Sequence, residues 1–93
     1  MERKIVRDHL HPELEPDESF TILPILSGKG GLYCYVNVET EGELVRMRFR
    51  WNSKLRQPKR TDGIYAHIRK EFLETIIAEV TQAFLADDRI PRA

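Results

Sequence analysis

Leu32-Tyr33-Cys34-Tyr35-Val36-Asn37-Val38-Glu39-Thr40, then Glu41-Gly42, then Glu43-Leu44-Val45-Arg46-Met47-Arg48-Phe49-Arg50-Trp51 is the stretch that decides the fold. Side chains alternate between the two faces of a strand, so each run can be sorted by position. Glu41-Gly42 fits a two-residue hairpin turn, with Gly42 free to take positive φ. Pairing Thr40 with Glu43 sets Val38 opposite Val45, Val36 opposite Met47, Cys34 opposite Phe49 and Leu32 opposite Trp51. All eight are apolar and share one face. The other face pairs Asn37 with Arg46, Tyr35 with Arg48 and Tyr33 with Arg50. Turn chemistry and alternation agree on one register, and a slip of one residue would turn every apolar side chain to water.

Upstream, Phe20 to Leu26 reads as a third strand. Phe20, Ile22 and Leu26 fall on one side of it, and Thr21, Leu23 and Ile25 on the other. Pro24 cannot donate to a ladder, which places this strand at a sheet edge. The turn Ser27-Gly28-Lys29-Gly30-Gly31 leads into the hairpin. Downstream, residues 52–63 read as a loop rich in Lys and Arg. Apolar side chains at Tyr65, Phe72, Leu73, Ile76, Val80, Ala83 and Phe84 then repeat with helical spacing from Ile64 to about Ala86. Asp62 suits the N-cap. Asp87 and Asp88 oppose the helix dipole at the far end, and Pro91 forbids continuation.

The expected architecture is α+β in the order β-β-β-α: a three-stranded antiparallel meander with one long C-terminal helix across its apolar face. Ile5 and Val6 are able to seed a short additional N-terminal strand. Residues 1–18, polar and broken by Pro12 and Pro16, read as an acidic arm. Residues 19–88 form one domain and 89–93 a frayed tail.

Ninety-three residues suffice for one thin two-layer core and leave no room for a deep enclosed pocket. Hydrophobic content of 41% with 32% charged residues is an ordinary globular mixture. No apolar run approaches the roughly 20 residues of a membrane span. The start of the chain lacks the apolar stretch of a secretory signal. Cys34 is the only cysteine, so no internal disulfide can form, and a cytoplasmic location is expected.

A net charge of zero hides a strong asymmetry. Residues 44–61 carry seven basic side chains (Arg46, Arg48, Arg50, Lys54, Arg56, Lys59 and Arg60) and no acid. Three of the seven fall on the face that the helix does not need. Arginines at alternate strand positions present planar donor groups to phosphates, and tyrosines beside them offer stacking surfaces to bases. The expected function is therefore a small non-enzymatic binding module. Its nucleic-acid site comprises Tyr33, Tyr35, Arg46, Arg48, Arg50, Lys54, Arg56, Lys59 and Arg60. The alternative is a protein-protein or homodimer interface on the same face, centred on Leu23, Ile25, Tyr33 and Tyr35 and suited to an acidic partner. A third reading is structural: alternating arginine keeps an exposed strand soluble.

Other candidate sites are weaker. Ser27-Gly28-Lys29-Gly30-Gly31 lacks the Ser or Thr after the lysine, and the following helix, that a phosphate-binding loop requires. His9 and His11, with Asp8 or Glu13, fall short of the three or four fixed ligands of a closed metal site. Cys34 on the apolar face reads as an inert buried thiol. No catalytic constellation, cofactor or metal is assigned. Arg69 interrupts the apolar stripe of the helix. Either it snorkels to the sheet edge or it pairs with an acid from residues 13–18. If the acidic arm folded over Arg46, Arg48 and Arg50, the basic face would be occupied from within.

Overall fold

The computed structural model describes residues 2–61 and 67–92. A six-stranded antiparallel sheet carries one C-terminal helix. The strands are β1 (Arg3–Val6), β2 (Ser19–Ile22), β3 (Leu26–Gly28), β4 (Gly31–Thr40), β5 (Glu43–Asn52) and β6 (Gln57–Arg60); the helix α1 is Lys70–Leu85. The spatial order is β1-β2-β4-β5-β6, with β3 also paired to β4.

The central hairpin has the expected register: Thr40 faces Glu43, Val38 faces Val45, Val36 faces Met47 and Cys34 faces Phe49. Glu41 and Gly42 both have positive φ, 51° and 76°, the signature of a type I′ turn whose twist matches that of the strands. Asp17 accepts a hydrogen bond from the Glu41 backbone N–H at 3.1 Å and ties the turn to the N-terminal segment.

The helix-on-sheet arrangement is as expected, but the three-stranded meander undercounts the sheet. The predicted strand Phe20–Leu26 is two strands. Its chain breaks around Pro24, which has no N–H to give, and the two pieces pair with opposite ends of the long β4. Residues 57–60, expected in a loop, form the edge strand β6 against β5. Pro58 fits there because an edge strand leaves one side of its backbone unpaired. The short N-terminal strand does form: β1 pairs with β2 and buries Ile5 opposite Phe20.

The helix begins at Lys70 rather than Ile64. Arg69, with ψ of 146°, is still extended. Asp62, Ile64 and Tyr65 lie outside the described residues. Phe72, Ile76, Val80 and Phe84, spaced by four, form the buried stripe. Phe72 packs against Phe20 with ring centroids 6.0 Å apart, and Phe84 against Trp51 at 5.3 Å. These rings join the apolar faces of β2, β4 and β5 in one core.

The segment read as an acidic arm contributes to that core. Leu14 is 2% exposed. Around it, polar groups bind the helix. Glu18 receives Arg69 Nε at 2.9 Å and Nη2 at 2.7 Å. Arg69 also donates to the Glu13 carbonyl, and Thr75 donates its hydroxyl to the Glu13 carboxylate. Of the two fates open to Arg69, pairing with an arm acid is the one adopted. His11 Nε2 lies 3.0 Å from Glu79, which also binds Arg3 of β1. The tail beyond the helix is tied down as well: Ile90 is buried, Arg89 bonds the Ile25 carbonyl, and Arg56 bonds the Pro91 carbonyl.

Candidate nucleic-acid interface

The same alternation that buries Cys34, Val36, Val38, Met47 and Phe49 turns the other half of the hairpin away from the helix. Tyr33 and Tyr35 of β4, and Arg46, Arg48 and Arg50 of β5, share that open face, because directly paired residues of antiparallel strands project to the same side. β5 lies between β4 and β6 at its C-terminal end, where Arg50 pairs with Lys59, whereas β6 does not extend to Arg46.

The side chains lean along the diagonal. Arg48 pairs directly with Tyr35 in the ladder, yet its guanidinium sits over Tyr33, 4.8 Å from the ring centroid. Arg46 likewise sits over Tyr35 at 5.2 Å, and its Nε donates to Asn37 Oδ1 at 3.0 Å. The two rings meet edge to face at 5.9 Å. One step further along the same diagonal the aromatic rings end, and Arg50 extends over Gly30 of the turn that precedes β4. A Cβ added to Gly30 would come within 2.5 Å of its guanidinium carbon. Gly28 makes similar room for Tyr33, whose ring edge would lie 3.0 Å from an added Cβ. The glycine-rich turn that leads into the hairpin is therefore shaped around two residues of this face. The spacing of its glycines was the only sequence signal available for that role.

Each guanidinium over a ring is held by the negative face of the π system, a contribution of about 0.5–1 kcal/mol where solvent remains close. The Nε atoms of Arg48 and Arg50 are shielded from solvent, with no hydrogen-bond acceptor among the described residues.

The remaining basic residues divide. Lys59 lies opposite Arg50 on the open face. Together with Lys54 of the β5–β6 turn, these two residues border a shallow recess of about 280 Å³ at the end of the row. Arg60 pairs with Phe49 and so projects from the helix side of the sheet. Arg56, with φ of 52°, turns its guanidinium to the Pro91 carbonyl. The structure thus brings together Tyr33, Tyr35, Arg46, Arg48, Arg50, Lys54 and Lys59, and takes Arg56 and Arg60 elsewhere.

The aliphatic part also differs from expectation. The break at Pro24 shifts the alternation, so Leu26, not Ile25, stands beside Tyr33. Leu26 is 44% exposed. Ile25 packs on the core. With Leu23 it lines an open recess of about 590 Å³ between the sheet edge and the end of the helix, at Ala83 and the C-cap residue Ala86.

Elsewhere, chemistry is sparse. Cys34 is fully buried, and burial pushes its thiol up to about 11. His11 is engaged with Glu79 and His9 is exposed. Among the described residues no group of three His, Cys, Asp or Glu side chains is placed to hold a metal ion, and no helix is long and apolar enough to cross a membrane. The chain matches no protein-family model, no curated protein and no solved structure, so the function of this face has to be argued from its own geometry.

Proposed function

We propose that this protein is a non-enzymatic, cytoplasmic nucleic-acid-binding module that meets its ligand with the open face of the sheet. One observation carries the reading: Arg46, Arg48 and Arg50 stand in a row on the open face of β5, two of them steadied by tyrosine rings and the third laid over Gly30. Alternate residues of a strand are about 6.8 Å apart, so the row offers a planar, multi-donor cation at regular intervals over about 14 Å. Lys54 and Lys59 extend it. A repeating polyanion is the ligand such a row complements, since Arg binds phosphate through paired donors. The acidic N-terminal segment supports the same reading, because Glu13 and Glu18 turn toward the helix side and bind there.

The test is a fluorescence-anisotropy titration with labelled RNA and DNA at low and physiological salt. Binding should weaken steeply as salt rises, and the Arg46→Ala/Arg48→Ala/Arg50→Ala variant should lose it while keeping the wild-type melting temperature within a few degrees. If that triple variant, still folded, binds as the wild type does, the site is wrong.

The exposure of Leu26 beside Tyr33 favours a second reading, a protein interface on this same face. It requires a mass that rises with concentration, or an acidic protein that competes with nucleic acid. Light scattering of wild type and Leu26→Asp at high micromolar concentration decides whether the partner is a second copy of the chain.

A further inference from the structure

We propose that the occupant of this face is a single strand, taken with little regard to its sequence. The inference rests on the nucleic-acid reading above and deepens it.

Two geometric facts exclude the interior of a duplex groove. The arginine row lies on β5, which is flanked at its Arg50 end by β6 on one side and by β4 and β3 on the other, and at its Arg46 end by β4, β2 and β1. At either end four strands lie side by side, and at about 4.8 Å spacing they make a slab about 14 Å across between the outer strand axes, before the outer backbones and side chains are added. The major groove of B-form DNA is about 12 Å wide and admits a helix or a two-stranded ribbon. The row therefore cannot reach base edges in a B-form groove of ordinary width. A duplex could offer it only its outer phosphates.

The surface beside the row argues for more than phosphates. Across the sheet from Arg50 stand Tyr33 and then Leu26, at successive strand spacings. Leu26 is the exposed aliphatic end of that line, about 10 Å from the β5 axis. A duplex keeps its bases inside and would leave this apolar shelf uncovered. An unpaired strand with its phosphates along Arg46, Arg48 and Arg50 can lay its bases across the shelf. There they meet guanidinium planes, tyrosine rings and Leu26, all of which accept any base. The arginines and lysines face the phosphates, and Asn37 already accepts a bond from Arg46. The result is affinity without sequence choice.

The experiment compares labelled 15-nucleotide oligo(dT), oligo(rU) and a mixed-sequence strand with a 15-base-pair duplex, at matched salt and pH. The single strands should bind at least tenfold more tightly than the duplex and within about threefold of one another. Their affinity should fall with salt at a slope of about −2 to −3, as expected when three or four phosphates of a single strand are neutralised. Leu26→Ser, a change at an exposed position, should weaken single-strand binding roughly fivefold or more without changing that slope. Duplex binding as tight as, or tighter than, single-strand binding overturns this inference and leaves the nucleic-acid reading standing. So does a Leu26→Ser variant of unchanged affinity. Failure to bind any of the four at low salt removes both.

Discussion

Replacing Leu14 with alanine tests whether the N-terminal segment belongs to the core, on which the accessibility of the arginine face depends. Leu14 sits between two prolines in a polar stretch, yet it is 2% exposed, while Leu10, four residues earlier, is 69% exposed. Truncating a buried leucine typically costs 2–5 kcal/mol, part from lost transfer energy and part from the cavity left behind. At about 0.05–0.15 kcal/mol per residue, a 93-residue protein has roughly 5–14 kcal/mol in total. A loss of about 3 kcal/mol would remove a fifth to more than half of that. It would also lower Tm by roughly 12–24 °C, at 4–8 °C per kcal/mol for a domain of this size. Urea unfolding followed by circular dichroism should show a reduced midpoint with an unchanged m-value, because the change removes packing without altering the surface exposed on unfolding. Leu10→Ala, made in parallel, should stay within about 0.5 kcal/mol of wild type. If the two variants are indistinguishable, Leu14 is not packed. The bonds from Glu13 and Glu18 to the helix would then lose their anchor, and an undocked acidic segment would be free to fold over Arg46, Arg48 and Arg50.

The same segment should make stability pH-dependent on both sides of neutrality. The hydrogen bond from Thr75 lowers the Glu13 carboxyl; for Glu18, burial is the largest single influence and would raise it, but the bonds and charge of Arg69 together with the Glu15 backbone N–H lower it on balance. Each therefore contributes stability that is complete above the ordinary carboxylate range and is lost as pH falls through its lowered folded value. His11 is raised above its ordinary 6.5, chiefly by its hydrogen bond to Glu79, so its contribution is complete below 6.5 and disappears as pH rises through the folded value. Urea midpoints across pH 3–9 should show both flanks, and His11→Gln should abolish only the alkaline one. Cys34, fully buried with its thiol pushed up to about 11, should resist Ellman's reagent in the native protein at pH 8 and react at once in 6 M guanidinium; rapid native labelling would mean that the hairpin face is not packed. Glu41→Asn places a residue that tolerates left-handed backbone at φ of 51°, and should raise stability by a few tenths of a kcal/mol to about 1 kcal/mol; a loss would argue against the type I′ turn.

The central hairpin was legible because three independent signals coincide there: alternation over two long runs, a two-residue turn ending in glycine, and apolar residues that meet only in one register. Its pairings hold at every position they share with the observed ladder. The short strands carried no such redundancy. β6 contains Pro58 and three polar residues, and becomes a strand only because β5 offers it an unpaired edge. Residues 1–18 read as an arm because charge and proline dominate their composition. Their role is set by contacts 51 to 76 residues away, such as Glu18 with Arg69 and Arg3 with Glu79, which no local pattern encodes. The face assignment of Ile25 and Leu26 failed for a related reason. Alternation holds only within an unbroken strand, and Pro24 breaks it. The helix stripe was legible from Phe72 onward, where the spacing of four is strict.

That arrangement also weighs on the structural alternative for the arginine row. Charge on a strand protects against aggregation where backbone groups are unpaired, at the edges of a sheet. Here β6 covers β5 at Arg50, so that end of the row lies inside the sheet. Solubility alone would be served by mobile, fully hydrated side chains, ideally lysines. Instead Arg46 and Arg48 are laid on tyrosine rings, Arg50 is accommodated by a glycine, and the Nε atoms of Arg48 and Arg50 are withdrawn from water with no acceptor among the described residues. Fixing an arginine costs up to about 2 kcal/mol of rotamer freedom, more than one cation–π contact of about 0.5–1 kcal/mol returns at an exposed site. The fold gains little from holding the row still. A ligand gains a great deal, because guanidinium groups already in place need not be ordered again when a phosphate arrives.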